Sequence, residues 1–128
     1  MKQIFSLAAL SLLLSFPAHG SCPKNKKEWQ NQGAKIFLES ALEHLQDSLR
    51  DEASGLHKRM GKKGSTASSS VTPFKEKNKE FVMVEARDEK AALILGGVMK
   101  CDLDRKAPVL LSLTWIKGEK SGLIKISR

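Results

Sequence analysis

Residues 34–60 read AKIFLESALEHLQDSLRDEASGLHKRM, and their apolar side chains recur every three or four positions. The recurring residues are Ala34, Leu38, Ala41, Leu42, Leu45, Leu49, Ala53, Leu56 and Met60. At roughly 100° per residue these positions form one apolar stripe along a helix. We predict one long amphipathic helix over residues 28–60, with Gly55 marking a kink and Gly61 as the C-terminal cap.

Three large apolar residues near the start of this helix, Trp29, Ile36 and Phe37, lie outside the stripe. Either the helix is covered on a second side there, or these side chains form an exposed contact patch. We favour the covered interpretation, with the N-terminal segment packed against this part of the helix.

Residues 61–73 read GKKGSTASSSVTP, a small, polar and basic composition that is typical of a flexible linker. The start of the segment, GKKGST, contains glycine, lysine and hydroxyl residues without the spacing of a phosphate-binding loop. No predicted strand precedes it either, so we expect no nucleotide binding.

After the linker the apolar period changes from helical to alternating, which predicts an antiparallel sheet of about four strands over residues 79–127. The segment FVMVEA (residues 81–86) is apolar on both faces, as in a central strand. In residues 93–103 apolar side chains recur at every second position on both sides of Gly96 and Gly97, which predicts one strand with a glycine bend. A short helix from Asp88 to Gly96 is the alternative. Residues 109–116 alternate most clearly, and residues 123–127 close the sheet after a turn at 117–122.

The helix precedes all the strands, and this segregation along the chain predicts an α+β fold. We expect a single domain over residues 21–128, in which a curved antiparallel sheet wraps over the helix stripe. The element order, ending in Trp115-x-Lys117-Gly118 and then Gly122-Leu123-Ile124-x-Ile126, resembles the layout of cystatin-like and NTF2-like domains. It is similar, too, to small periplasmic components of secretion machines. The cystatin motif Gln-x-Val-x-Gly is missing, so the resemblance does not imply protease inhibition, and it implies no deep NTF2-like pocket.

Residues 1–20, MKQIFSLAALSLLLSFPAHG, have the pattern of a secretory signal peptide. A positive residue, Lys2, precedes an apolar run at positions 4–16, and Pro17 separates that run from the small residues Ala18 and Gly20. The run is shorter than the roughly 20 residues that span a bilayer. We therefore expect cleavage after Gly20 and export of the remaining chain to the periplasm or the extracellular space.

The chain has two cysteines, Cys22 and Cys101, and both lie in the part predicted to be exported. In an oxidising compartment an even number of cysteines predicts a disulfide. Closing a loop of about 80 residues contributes about 4–4.5 kcal/mol in the chain-entropy model. The alternative is a lipid anchor on Cys22, which His19-Gly20-Ser21 precede. The wide separation and the missing Cys-x-x-Cys spacing argue against zinc.

The net charge of +8 suggests an anionic partner, although it also serves solubility. Besides Lys24, Lys26 and Lys27 near the predicted mature N-terminus, two basic groups flank the linker. We expect these two groups to converge on one anionic or partner-binding surface, and they comprise Lys58, Arg59, Lys62, Lys63, Lys75, Lys77 and Lys79. Nucleic acid is not expected, because Phe74 and Phe81 are the only nearby aromatic residues for base stacking and the chain is predicted to be exported.

Residues suited to catalysis or metal binding are few in the predicted mature chain. His44 and His57 are 13 positions apart, too far along a helix to share a metal ion. Four carboxylates on the polar helix face, Glu39, Glu43, Asp47 and Asp51, are typical of a solvated surface. We therefore expect no enzymatic activity, no metal and no cofactor.

Together these features predict a small exported binding or assembly protein that is not an enzyme. It would dock a protein partner through its sheet and strand edges, with the basic residues as an electrostatic contact. The alternative is a secreted basic effector that acts on anionic lipid, glycolipid or other envelope surfaces.

Overall fold

The computed structural model describes residues 22–126, so the predicted signal peptide lies outside the described residues. Two helices precede five strands: α1 Lys26–Leu42, α2 Asp47–Arg59, β1 Ala67–Glu76, β2 Lys79–Asp88, β3 Leu93–Asp102, β4 Ala107–Lys117 and β5 Lys120–Lys125. The strands form one antiparallel sheet in sequence order. The α+β prediction is confirmed, with two helices in place of one and five strands in place of about four.

The predicted single helix over residues 28–60 is wrong, because residues 43–46 separate α1 from α2. The guanidinium of Arg50 closes this corner by donating to the carbonyl oxygens of Leu42 and Leu45, at 3.0 and 2.8 Å. These bonds satisfy backbone acceptors that a helix end leaves open. Gly55 lies inside α2, which runs from Asp47 to Arg59 as one helix. Gly61, predicted as the C-terminal cap, follows the C-cap residue Met60 and has a φ of 81°, the left-handed conformation that favours glycine at a helix end.

The flexible linker predicted at residues 61–73 is shorter, because residues 67–73 belong to strand β1. This strand pairs with β2 along its whole length, from Ala67 opposite Asp88 to Glu76 opposite Lys79. A two-residue turn joins them, with φ values of 53° at Lys77 and 65° at Asn78. Both values match a type I′ turn, whose twist suits a hairpin. The backbone ladder therefore holds a serine-rich strand whose composition resembles that of a linker.

The two helices pack on one face of the sheet and enclose the hydrophobic core. Trp29 and Phe37 are 8% and 0% exposed and Ile36 is partly buried, so these side chains are covered, as expected. Phe37 lies against Gly97 of β3, so the sheet covers it, and not the N-terminal segment that was predicted to do so.

Val82, Val84 and Ala86 contribute the buried side of β2, but Met83 between them is 52% exposed. β2 lies between β1 and β3, so its predicted place as a central strand is confirmed. Only one of its two apolar faces is buried, because both described helices lie on the same side of the sheet.

β3 runs through Gly96 and Gly97 without interruption, which confirms the strand and contradicts the alternative helix from Asp88. In its ladder with β4, Val98 pairs with Ser112 and Met99 pairs with Leu110. Leu111 is therefore an extra residue in β4, a β-bulge. The bulge turns both Leu110 and Leu113 toward the core, where they are 4% and 0% exposed, so the simple alternation expected for β4 changes phase there.

The predicted disulfide is present between Cys22 and Cys101, whose Cα atoms are 5.8 Å apart. It joins the start of the described chain to the end of β3. Within residues 22–126, no helix has the length and apolar character needed to cross a membrane.

Candidate interaction surface

Within residues 22–126 both helices lie on one face of the sheet, and we call the opposite face the outer face. Residues paired directly across antiparallel strands have side chains on the same face of the sheet, so the strand pairing shows which residues belong to the outer face. One cross-strand row joins Met83, Val98 and Ser112, a second joins Thr114 and Leu123, and a third joins Ile94 and Ile116. The apolar members are Phe74, Phe81, Met83, Ile94, Val98, Ile116 and Leu123.

Three of these apolar side chains are well exposed: Met83 at 52%, Ile116 at 40% and Leu123 at 60%. At the end of the β1–β2 hairpin, the rings of Phe74 and Phe81 stack with centroids 5.5 Å apart. Ile116 and Leu123 are diagonal neighbours on β4 and β5, because Leu123 lies opposite Thr114, while Met83 lies on β2 with β3 between it and β4. Exposed apolar side chains grouped on one face are typical of interaction surfaces.

The outer face carries charges of both signs: by the same register its cations are Lys79, Arg87, Lys100 and Lys125, and its carboxylates are Glu76, Glu85 and Asp102. Glu85 accepts a 2.7 Å hydrogen bond from Arg87 two residues away, which neutralises both. Lys125 lies opposite Ser112, and Lys100 lies opposite Val109. Among the described residues no ion pair joins Lys100 or Lys125 to a carboxylate.

The basic residues predicted to converge lie at opposite ends of β1. Lys62 and Lys63 belong to the turn before this strand, and Lys75, Lys77 and Lys79 lie at the hairpin after it. A ten-residue strand is about 33 Å long at roughly 3.3 Å per residue. The predicted convergence is therefore wrong, because residues that were expected to be a flexible linker form an extended strand.

Arg59, one of the predicted contact residues, is engaged inside the protein. Its Nε and Nη2 atoms donate to Oδ2 of Asp88, at 2.6 and 2.5 Å. The other carboxylate oxygen of Asp88 accepts from Thr66 Oγ1 at 2.6 Å and from the backbone N–H of Lys90 at 3.0 Å. Asp88 therefore joins the end of α2, the start of β1 and the β2–β3 turn.

Asp88 is a buried carboxylate, 1% exposed, that sequence reasoning did not select. The hydrogen bond from Thr66 contributes most to lowering its pKa; burial opposes this, and the Arg59 contact adds to the lowering. The sequence offered one local sign of the role of Asp88: an aspartate at the end of a strand often accepts hydrogen bonds from the backbone N–H groups of the following turn.

Surface concavities among the described residues include one beside Arg59 and one beside α1. The larger, about 320 Å³, is lined by Arg59 and Asp88, which already bind each other, while the smaller, about 260 Å³, lies between α1 and Pro108. His57 Nε2 lies 3.9 Å from Glu39 Oε2, and His44 is exposed. Within residues 22–126 no three metal-ligating side chains are grouped.

Comparison of this chain with protein-family models, curated proteins and solved structures finds no match. The resemblance of the element order to cystatin-like and NTF2-like domains is therefore not confirmed.

Proposed function

We propose that this chain is a small exported binding or assembly protein, not an enzyme, and that it docks a protein partner through the outer face. The observation that carries the proposal is the exposure of Met83, Ile116 and Leu123, at 52%, 40% and 60%, on the outer face. Covering each of these side chains in an interface would contribute about 1 kcal/mol, since each is only partly exposed.

The cations near this face would serve as the electrostatic contact of the proposal. Lys100 and Lys125 lie on the outer face, and Lys75, Lys77 and Lys79 lie at the hairpin end of the same sheet. Exposed cations of this kind accelerate the encounter with an acidic partner and contribute less to the final affinity.

The proposed compartment, periplasm or extracellular space, is supported by the disulfide between Cys22 and Cys101. Such bonds persist in oxidising compartments and are rare in a reducing cytosol. The signal-peptide pattern of residues 1–20 predicts the same destination.

Site-specific photocrosslinking tests the proposed docking face. The photoreactive residue benzoylphenylalanine replaces Met83 or Leu123 in the full chain, produced in its native cells. The matched control position is Leu103, which is apolar and 82% exposed but lies in the β3–β4 turn. We expect discrete adducts from Met83 and Leu123 that form at high salt, and none from Leu103. Equal adducts from all three positions, or adducts from none, would contradict the proposal.

A second candidate is an effector that acts on anionic envelope surfaces. It is favoured by the neighbouring positions of Lys125 and the exposed Leu123 in β5, because basic and apolar side chains together suit an anionic lipid surface. Vesicles of equal parts phosphatidylglycerol and phosphatidylcholine separate the two candidates. Strong binding that collapses above physiological salt would favour the effector, whereas the docking proposal predicts no such binding.

A further inference from the structure

Strand β1 is an open edge of the sheet. Three consecutive residues, Ser68, Ser69 and Ser70, are exposed, so neither face of the strand is covered there. The segment Ala67–Pro73, called the β1 edge below, contains no charged side chain. Natural proteins commonly protect an edge strand with charges or a covering element. Here α1 reaches β1 at Val71, which lies beside Gly33, but Ser68, Ser69 and Ser70 stay exposed and no charge protects them.

The backbone groups that point away from β2 follow from the hairpin. In a two-residue turn the flanking residues, Glu76 and Lys79, exchange backbone hydrogen bonds. Going back along β1 from Glu76, the backbone N–H and C=O groups then point alternately away from β2 and toward it. Residues 67, 69, 71 and 73 therefore present their backbone outward. Two observations agree: the N–H of Ala67 donates to Ser65 Oγ at 3.0 Å, and the outward position 73 is a proline, which has no N–H.

The outward groups form a short template for another strand. Ser69 and Val71 each offer an N–H and a carbonyl oxygen, and Ala67 and Pro73 each offer a carbonyl oxygen. A segment of about seven residues, roughly 23 Å when extended, would match this length. The opposite edge, β5, has six residues and is lysine at both ends, which is the usual protection of an edge.

The charge around the β1 edge is asymmetric. No carboxylate occurs between Glu52 and Glu76, and Lys62 and Lys63 are exposed in the turn that leads into β1. The other end is mixed, since Glu76 and Glu80 accompany the lysines of the hairpin. Asp88, which lies opposite Ala67, is bound by Arg59, and among the described residues no ion pair joins Lys62 or Lys63 to a carboxylate. A strand added here would therefore meet the positive charge of these two lysines at one end.

We propose that the β1 edge binds an extended segment of the protein partner, antiparallel to β1, with carboxylates at the segment's C-terminal end beside Lys62 and Lys63. This inference rests on the proposed protein-binding function and names its mode. Antiparallel pairing continues the order of the sheet and is the more stable arrangement. A second copy of the chain fits less well, because self-pairing would place Lys62 and Lys63 of each copy against the mixed hairpin end of the other. There three lysines outnumber two glutamates, Glu76 and Glu80, so that end offers no concentration of carboxylates.

The test uses a labelled synthetic peptide and the full mature chain. The probe is a capped heptapeptide in which alternating threonine and valine precede two C-terminal glutamates. One control peptide carries the two glutamates first, and another carries lysines in their place. Fluorescence anisotropy measures affinity, and hydrogen exchange measures protection of the N–H groups of Ser69 and Val71.

Two protein variants and a matched control locate the contact. Ser69→Pro removes an outward N–H, and the double variant Lys62→Glu/Lys63→Glu reverses the charge without altering a strand. Ser121→Pro is the control at the opposite edge, β5. The backbone N–H of Ile126 donates to the Leu111 carbonyl oxygen of β4, and the direction of the backbone groups alternates along a strand. The N–H of Ser121 therefore points away from β4, as the N–H of Ser69 points away from β2. Circular dichroism verifies that each variant folds.

We expect both edge variants to weaken binding of the probe at least about tenfold, a loss of roughly 1.4 kcal/mol or more, and Ser121→Pro to leave it unchanged. The control peptides should bind more weakly, and the N–H groups of Ser69 and Val71 should exchange more slowly in the complex. No binding of the probe, equal binding by Ser69→Pro, protection in β5, or a dimer formed through β1 would overturn the inference. Crosslinks from Met83 and Leu123 would still support the outer-face function in that case.

Discussion

At the scale of single residues, Asp88 shows how a side chain with no recognisable motif can hold several elements together. Its two carboxylate oxygens bind Arg59 of α2, Thr66 ahead of β1 and the turn after β2. Arg59 was predicted to contact a partner, and the structure instead uses it to compensate this buried charge. A basic residue in a sequence cluster is therefore a candidate for partner contact only after its internal partners are known.

We expect Asp88→Asn to lower the free energy of unfolding by about 2–3 kcal/mol at neutral pH, because it breaks a buried, hydrogen-bonded ion pair. The pKa of Asp88 is lowered from its ordinary value of 3.8, so its contribution is present above that value. It is lost as the pH falls through the lower folded-state pKa. Urea unfolding between acidic and neutral pH should therefore show the two proteins converging in stability at acidic pH.

The control for this prediction is Glu89→Gln, which alters the adjacent exposed carboxylate. It should leave the stability almost unchanged at every pH. A constant difference between wild type and Asp88→Asn across the whole range would show that the charge of Asp88 does not stabilise the fold.

At the scale of elements, the errors of sequence analysis occur where a partner element decides the structure. The apolar spacing continues from Ala41 through Leu45 to Leu49, so periodicity gives no sign that α1 ends at Leu42. The serine-rich β1 resembles a linker because its strand conformation depends on pairing with β2. By contrast, the positions of β3 and β4 were predicted from the apolar pattern of their own residues, although that pattern did not show the bulge at Leu111.

The contact between α1 and β3 gives a prediction with a built-in control. A Cβ atom at Gly97 would lie 2.5 Å from the Ser112 carbonyl oxygen and 2.7 Å from Phe37 Cε1. At Gly96 the nearest such atom is 3.7 Å away. We expect Gly97→Ala to cost about 2–3 kcal/mol and Gly96→Ala less than about 1 kcal/mol, by urea denaturation. Equal effects at the two positions would mean that Phe37 and β4 adjust freely to the added methyl group.

At the scale of the whole molecule, the disulfide connects the start of the described chain to the end of β3. Cys22 precedes α1 and Cys101 lies near the end of β3, with a sequence separation of 79. The bond therefore encloses both helices and three of the five strands. It limits the freedom of the unfolded chain over most of its length.

We expect the double variant Cys22→Ser/Cys101→Ser to be less stable than the oxidised protein by about 4 kcal/mol in the chain-entropy model. Urea unfolding of both proteins measures the difference, and adding reductant to the wild type should produce a similar loss. A loss below about 1 kcal/mol would show that the unfolded chain is already compact or that the bond strains the fold.

Intact mass of the exported protein is the control for this experiment. Cleavage after Gly20 predicts a chain that begins at Ser21 and gains the mass of two hydrogen atoms on reduction. A mass raised by acyl chains would instead identify Cys22 as a lipid anchor and remove the disulfide from the native protein.

The sequence by itself determined the features that depend on neighbouring residues or on composition. These are the α+β order, the disulfide partners, the cap at Gly61 and the strands β3 and β4, because periodicity, cysteine number and turn chemistry are local properties. Tertiary structure alone decided the corner at Arg50, the formation of β1, the Asp88 contacts and the separation of the basic residues. It also decided that, within the described residues, one sheet face carries no helix and part of one strand edge stays exposed, because what covers a surface depends on how distant segments pack.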